Sequence, residues 1–336
     1  MKSIHFVLLL LLTASLSAQT SHYQIKDKIQ IGGEGGWDYL TVDVASNRLF
    51  LSHAEKVVVV DLETLKVAGE ILNTPGVHGI TIAAALNRGF ISNGRANTVS
   101  VFDLKTLQVV ASVVTGTNPD AILFDDTSKR VFVFNGRSKD ATVFDAVTNL
   151  VLATIPMGGK PEFAVRDGKG LVYVNVEDTH EMAQIDAAKL SVTKRYSLDG
   201  CEDPTGLAID TAKRRLFSVC GNKVMVVSDP DQGKVIATVP IGQGSDGAAF
   251  DQTSGMAFSS NGEGTLTVVG ESKGHYSVVE TATTQRGART MAIDPKTRRL
   301  FLPTALYGPA AAALPGKASP RPPMIAGSFQ LLIVQK

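Results

Sequence analysis

The sequence predicts an all-β fold, a seven-bladed β-propeller with four antiparallel strands per blade, and three observations carry that prediction. First, Asp-x-x-x-x-Arg-(Leu/Val)-Phe recurs at Asp43–Phe50, Asp125–Phe132, Asp210–Phe217 and Asp294–Phe301. Degraded copies lie at Ala83–Phe90, around Asp167 and at Asp251–Phe258, which makes seven units. Second, β-rich runs end in an acidic turn at Val60-Asp61, Phe102-Asp103, Phe144-Asp145 and Ile185-Asp186, weakening to Val227-Ser228 and Val269-Gly270, with successive turns 41 or 42 residues apart. Third, Ile29-Gln30-Ile31-Gly32-Gly33 matches the outer-strand exit Ile155-Pro156-Met157-Gly158-Gly159, so the start of the chain can supply a strand to its last unit.

Each element follows from alternation and β-branched content. In blade one the inner strand is expected at Tyr39–Asp43, the second at Arg48–Ser52, the third at Val57–Val60 and the outer one at Val67–Ile71. Later blades fall near 74–115, 116–157, 158–200, 201–241 and 242–284. The final unit offers three strands, Arg289–Asp294, Arg299–Pro303 and Phe329–Val334. Tyr23–Ile31 is expected to complete it, which leaves no seam of unpaired backbone. Truncation beyond Gln30 should then unfold the ring.

Positions 1–18 read as a secretory signal, with Lys2 as the charge, Phe6–Leu12 as the apolar run and Ser15–Ala18 as the cleavage region. A periplasmic or secreted location follows, with residues 19–336 forming a single propeller domain and no membrane span expected. Lys plus Arg total 33 against 32 for Asp plus Glu, so no basic field draws in nucleic acid. A monomer is expected. Cys201 and Cys220 fall on one face of their blade, where they either pair or remain free thiols. A bridge there would contribute about 2 to 4 kcal/mol. Neither has Cys-x-x-Cys spacing, which excludes the zinc and redox motifs built on it.

The eroded tetrapeptides Phe90-Ile91-Ser92-Asn93, Phe132-Val133-Phe134-Asn135 and Phe258-Ser259-Ser260-Asn261 give the chain a resemblance to the YVTN-repeat (YncE-like) family of bacterial exported propellers. The resemblance spans essentially the whole mature length. It implies the fold and a binding or surface role, and it transfers no catalytic residues.

Superimposable units place equivalent positions in rings about the axis. The position five before each marker Asp opens the inner strand at the channel mouth, and reads Asp38, His78, Asp120, Glu162, Thr205, Asp246 and Arg289. With His78 neutral, four carboxylates against Arg289 leave this ring at minus three. Crowding like charges costs energy unless protons, water or a cation offset it. The alternative is a wet channel lined by solvated polar groups. Loops on the same face add His53, Arg95, Arg137, Asp178, His180, Asn222 and Glu263 as an outer wall, and Trp37 stands where it could stack on a ligand or plug the mouth.

No cofactor motif is present, but an axial divalent cation is chemically plausible. Asp38, Asp120, Glu162 and Asp246 offer the oxygen ligands of calcium or magnesium. His53, His78 and His180 with Glu162 are a second set that could meet near the axis, drawn from several blades. Blade seven swells between Thr304 and Ser328 into an alanine- and proline-rich insertion, read as a lid over the mouth or as a mobile loop.

Three functions fit. The first is an exported binding protein presenting the mouth to a small polar ligand, a cation or a protein partner. The second is a lactonase-type hydrolase or an isomerase, with Glu162 or Asp120 as base, His78 as proton shuttle and Arg289 as oxyanion partner. The third is a cell-envelope scaffold. Gly242-Gln243-Gly244-Ser245-Asp246 does not match a nucleophile elbow, so no motif favours the enzyme.

Overall fold

The computed structural model describes residues 22–309 and 322–336. The signal-like segment 1–18 and the centre of the blade-seven insertion lie outside them. Seven four-stranded antiparallel sheets are arranged as a β-propeller. Blade one comprises Leu40–Asp43, Arg48–His53, Lys56–Asp61 and Lys66–Ile71, from the axis outward. Blades two to six repeat this order, and the expected strand positions hold to within a few residues. Among the described residues no helix is long and apolar enough to cross a membrane.

The last sheet is closed by the start of the chain. Gln24–Gln30 pairs antiparallel with Gln330–Gln335, with Ile29 opposite Leu331, outside Leu300–Thr304 and the two-residue inner strand Ala292–Ile293. Packing shows the same closure. The buried apolar side chains form seven clusters, and each bridges two neighbouring sheets. Phe50 of blade one meets Phe102 of blade two, and Leu331 of blade seven shares a cluster with Leu49 and Val58 of blade one. The core is therefore spread between blades, as a stack of sheets requires.

The repeat has a local reason. Its Asp caps the turn between the first two strands: Asp125 Oδ2 accepts from Ser128 N at 2.9 Å, and Asp210 Oδ1 accepts from Ala212 N and Lys213 N, both at 2.9 Å. Its Arg ties one blade to the next. Arg48 Nη2 donates to Leu104 O at 2.8 Å, Arg88 Nη1 to Ala146 O at 3.0 Å, and Arg130 reaches Ala187 and Ala188. Its aromatic fills the interface: Phe50, Phe90, Phe132, Tyr173, Phe217, Phe258 and Phe301 are all buried.

The second marker needs one correction. In blade five the turn acid is Asp229, not Ser228. Asp229 closes the turn by accepting from Asp231 N at 2.9 Å and Gln232 N at 3.0 Å, while Ser228 lies opposite Leu216 inside the hairpin. A longer connection before this blade shifts its phase by one residue. Cys201 and Cys220 are joined in a disulfide, with Cα atoms 5.4 Å apart.

Candidate functional site at the channel mouth

Five mouth residues, His78, Asp120, Glu162, Thr205 and Asp246, are each the second residue of an inner strand. In each of these blades the pairing register shifts across that position, as between Pro119 and Ile122. A bulge frees the residue from the ladder and re-aims its side chain. It also releases backbone groups that need partners. Buried side chains on second strands supply them, within a blade and across blades. Ser92 Oγ accepts from Gly79 N at 2.8 Å and donates to Asp120 O at 2.5 Å. Asn175 Nδ2 donates to Thr205 O at 2.8 Å, and Ser260 Oγ to Arg289 O at 2.6 Å.

This explains the eroded tetrapeptide. Its aromatic packs between blades, Ser92 and Ser260 at its third position clamp the mouth backbone, and its Asn locks the next hairpin. Asn93 Nδ2 reaches Ser100 Oγ at 2.9 Å, and Asn261 Nδ2 reaches Thr267 Oγ1 at 2.9 Å. Inner strands then approach closely enough that a side chain at Gly206 or Gly247 would strike the neighbouring backbone at 2.7 Å.

Below the mouth, Tyr39 and Phe163 come from different blades and meet edge to face at 5.0 Å between ring centres. Tyr39 is buried within reach of the charges of Glu162, Asp120, Asp38 and Asp246, so the pair lies at the floor of the mouth. Beneath them a cavity of about 330 Å³ opens among the inner strands of blades one to four, with Thr41, Thr81 and Arg166 among its lining.

Around the mouth the charges pair in part. His78 Nδ1 lies 2.6 Å from Asp38 Oδ2 and 3.6 Å from Asp120 Oδ1. Arg289 Nε donates to Asp246 Oδ2 at 2.7 Å, while its Nη2 donates to Trp37 O at 3.1 Å and stands 3.9 Å from Asp38 Oδ1. Lys160 Nζ contacts Glu162 Oε1 at 3.3 Å and also pairs with Glu177. Two carboxylates stay underserved. Asp120 and Glu162 are only 9% and 8% exposed, yet Asp120 Oδ1 and Glu162 Oε2 have no hydrogen-bond partner among the described residues.

Protons respond to this arrangement. Burial, then the charge of Asp38, pushes Asp120 up to about 7. Burial, then Asp120, pushes Glu162 up to about 9 despite the nearby Lys160. Asp246 is raised by burial and then by Asp38. For His78 burial acts downward, but the hydrogen bond to Asp38 and the charge of Asp120 outweigh it and leave the imidazole raised.

Other predicted residues are placed elsewhere. Trp37 is 7% exposed with its ring 5.1 Å from that of Phe329, so it presents no face to a ligand and does not plug the axis. His53 is 1% exposed, stacks on Phe329 at 4.0 Å and is held near 4 by burial, so it contributes to the core and not to the wall. His180 stands 3.7 Å from Asp203, and Arg95 pairs with Glu55 at the exposed rim. Arg137 is exposed, and Asp178 pairs with Lys139 at 2.6 Å. Asn222 Nδ2 donates to Gly200 O at 2.9 Å and Glu263 Oε1 accepts from Thr265 Oγ1 at 3.0 Å. Thr205 Oγ1 spends its proton on backbone, with Ser245 O at 3.2 Å.

Neither expected metal set converges. Among the described residues the one cluster of metal-ligating type is Asp38, His78 and Asp120, whose donor atoms lie within 4.8 Å of one another. Of the four-carboxylate set only Asp38 and Asp120 fall in that cluster, while Asp246 pairs with Arg289. The three-histidine set fails because His53 is buried against Phe329. The centre of the insertion read as a lid, residues 310–321, lies outside the described segments; its flanks join through a bridge between Tyr307 and Met324.

Sequence reasoning missed Lys160, Glu177 and the Tyr39–Phe163 floor. A signal for Lys160 existed in the repeat phase. Two residues before the mouth position the other blades carry Gly36, Gly76, Asn118, Asp203, Gly244 and Gly287, and only in blade four does a long cation stand there.

Comparison with known proteins adds the fold and the family. No curated protein matches this sequence. The chain is similar in structure to a chain of Kuenenia stuttgartiensis Hydrazine Synthase, with a TM-score of 0.70 at 15% identity, over 86% of this chain and 96% of that one. At that identity the likeness speaks for the propeller architecture alone. Residues 38–224, more than half of the chain, match a family described as "Domain of unknown function (DUF5074)", and the protein belongs to that family.

Proposed function

We propose that this protein is an exported binding propeller that takes a small ligand carrying a positive charge into the funnel above Tyr39 and Phe163. The observation that carries the reading is the pair of buried carboxyl oxygens, Asp120 Oδ1 and Glu162 Oε2, left without hydrogen-bond partners beside further carboxylates. An unmet buried acceptor costs about 1 to 3 kcal/mol. A cationic donor entering the funnel would recover that cost, and concave low-dielectric walls focus the field that attracts it. Export rests on the N-terminal charge, apolar run and small-residue site. The finer relationship to YVTN-repeat propellers is supported by the roles that Ser92, Asn93, Ser260 and Asn261 play.

Calorimetry of the purified protein with a panel of small organic amines, in the presence of a chelator, tests the reading. At least one amine should bind the native protein, and Glu162→Gln should weaken it tenfold or more while the fold persists. Unchanged affinity in Glu162→Gln would move the site elsewhere.

A further inference from the structure

Within that site we infer that Asp38, His78 and Asp120 form a binding site for a divalent transition-metal ion of the zinc type. The inference rests on the mouth reading and narrows it to one arc spanning blades one to three. The donor set is one imidazole nitrogen and two carboxylate oxygens. Such a set suits zinc better than calcium or magnesium, which take oxygen ligands. His78 Nδ1 is 2.6 Å from Asp38 Oδ2 and 3.6 Å from Asp120 Oδ1, and all three donor atoms lie within 4.8 Å. Donors around a tetrahedral zinc stand roughly 3.3 Å apart, so side-chain rotation suffices to bring them to that spacing.

A second observation separates this triad from an ordinary acidic cluster. Asp120 is buried, with 12% of its side chain exposed, and its Oδ1 faces His78 Nδ1 at a distance too long for a hydrogen bond and finds no hydrogen-bond partner among the described residues. The triad is also built in from behind. Asp38 N donates to Ser52 Oγ at 2.8 Å, Asp38 O accepts from Thr290 Oγ1 at 2.8 Å, and Asp120 O accepts from Ser92 Oγ at 2.5 Å. Gly94 makes room for the imidazole, since a Cβ there would lie 2.7 Å from both His78 Cδ2 and Nε2. Outer contacts of this kind orient metal ligands. Three protein ligands leave a fourth position for water.

The test is zinc titration of the chelator-stripped full chain against a chromophoric chelator, with parallel nitrogen-15 NMR of His78. One Zn²⁺ per chain is expected, with a His78 Nδ1 shift on saturation, no displacement by millimolar Ca²⁺, and a loss of affinity of at least a hundredfold in His78→Asn and in Asp120→Asn. No zinc binding tighter than millimolar, or binding without a His78 shift, overturns the inference, and the NMR readout holds even where a variant fails to fold. If amines bind under chelation but zinc does not, the metal inference fails and the binding reading stands. If neither binds, both fail.

Discussion

The two faces of the propeller carry carboxylates in opposite electrostatic states. At the turn end, Asp61, Asp103, Asp145 and Asp186 are held below the usual carboxylate range, first by the backbone N–H of Thr64, Thr106, Thr148 and Lys189 respectively. At the mouth, Asp120, Glu162 and Asp246 are raised, first by burial and then by neighbouring carboxylates. An acid held low has its donors inside the fold and serves a turn. An acid held high lacks them, and the fold tolerates that cost where something else can supply the donor.

The comparison breaks most readily through pH. Asp120 and Glu162 have folded values above their unfolded ones, so the folded chain binds more protons than the unfolded chain across the interval between. The stability from keeping them neutral is complete below about pH 4 and is lost as pH rises through about 7 and then about 9. In chelated protein, stability to urea should therefore fall between pH 5 and pH 9. Asp120→Asn with Glu162→Gln should remove most of that fall, an effect on the order of a few kcal/mol. A parallel decline in the double variant would mean that the mouth carboxylates do not set the slope.

The turn end should answer with a smaller effect of opposite sign. Asp145 has a lowered folded value, so its contribution is present above its unfolded value and is lost as pH falls through the folded one. Asp145→Ala should lower the Tm by about 2 °C at pH 7, with the difference from native protein vanishing in acid. A larger loss at pH 3 than at pH 7 would contradict the assignment.

The two ends also differed in how far the sequence revealed them. The turn end was legible because its Asp, Arg and aromatic repeat with one period and act on close neighbours. The mouth was legible only as a set of positions. Its bulges, and the Ser92, Asn175 and Ser260 clamps, depend on what an adjacent blade offers some forty residues away, which a period cannot reveal. Tyr39 and Phe163 meet across the axis for the same reason. Trp37 and His53 were misread because Phe329, from the far end of the chain, covers both when the ring closes. Asp229 was missed because a longer connection shifted the phase of its blade by one residue. Departures from the repeat were thus the useful signal at the mouth, and Lys160 was the departure left unread.

Glu162 tests the account most directly, because it lies outside the proposed metal triad and pairs a buried, unpartnered oxygen with a largely spent Lys160. Carbon-13 NMR titration of its side-chain carboxyl, in chelated protein without ligand, should give a midpoint near about 9, moving down when a cationic ligand or zinc fills the mouth. A midpoint that stays near the ordinary 4.5 would show that water or protein donors already satisfy this carboxylate, and the mouth would then be a solvated channel and not a site.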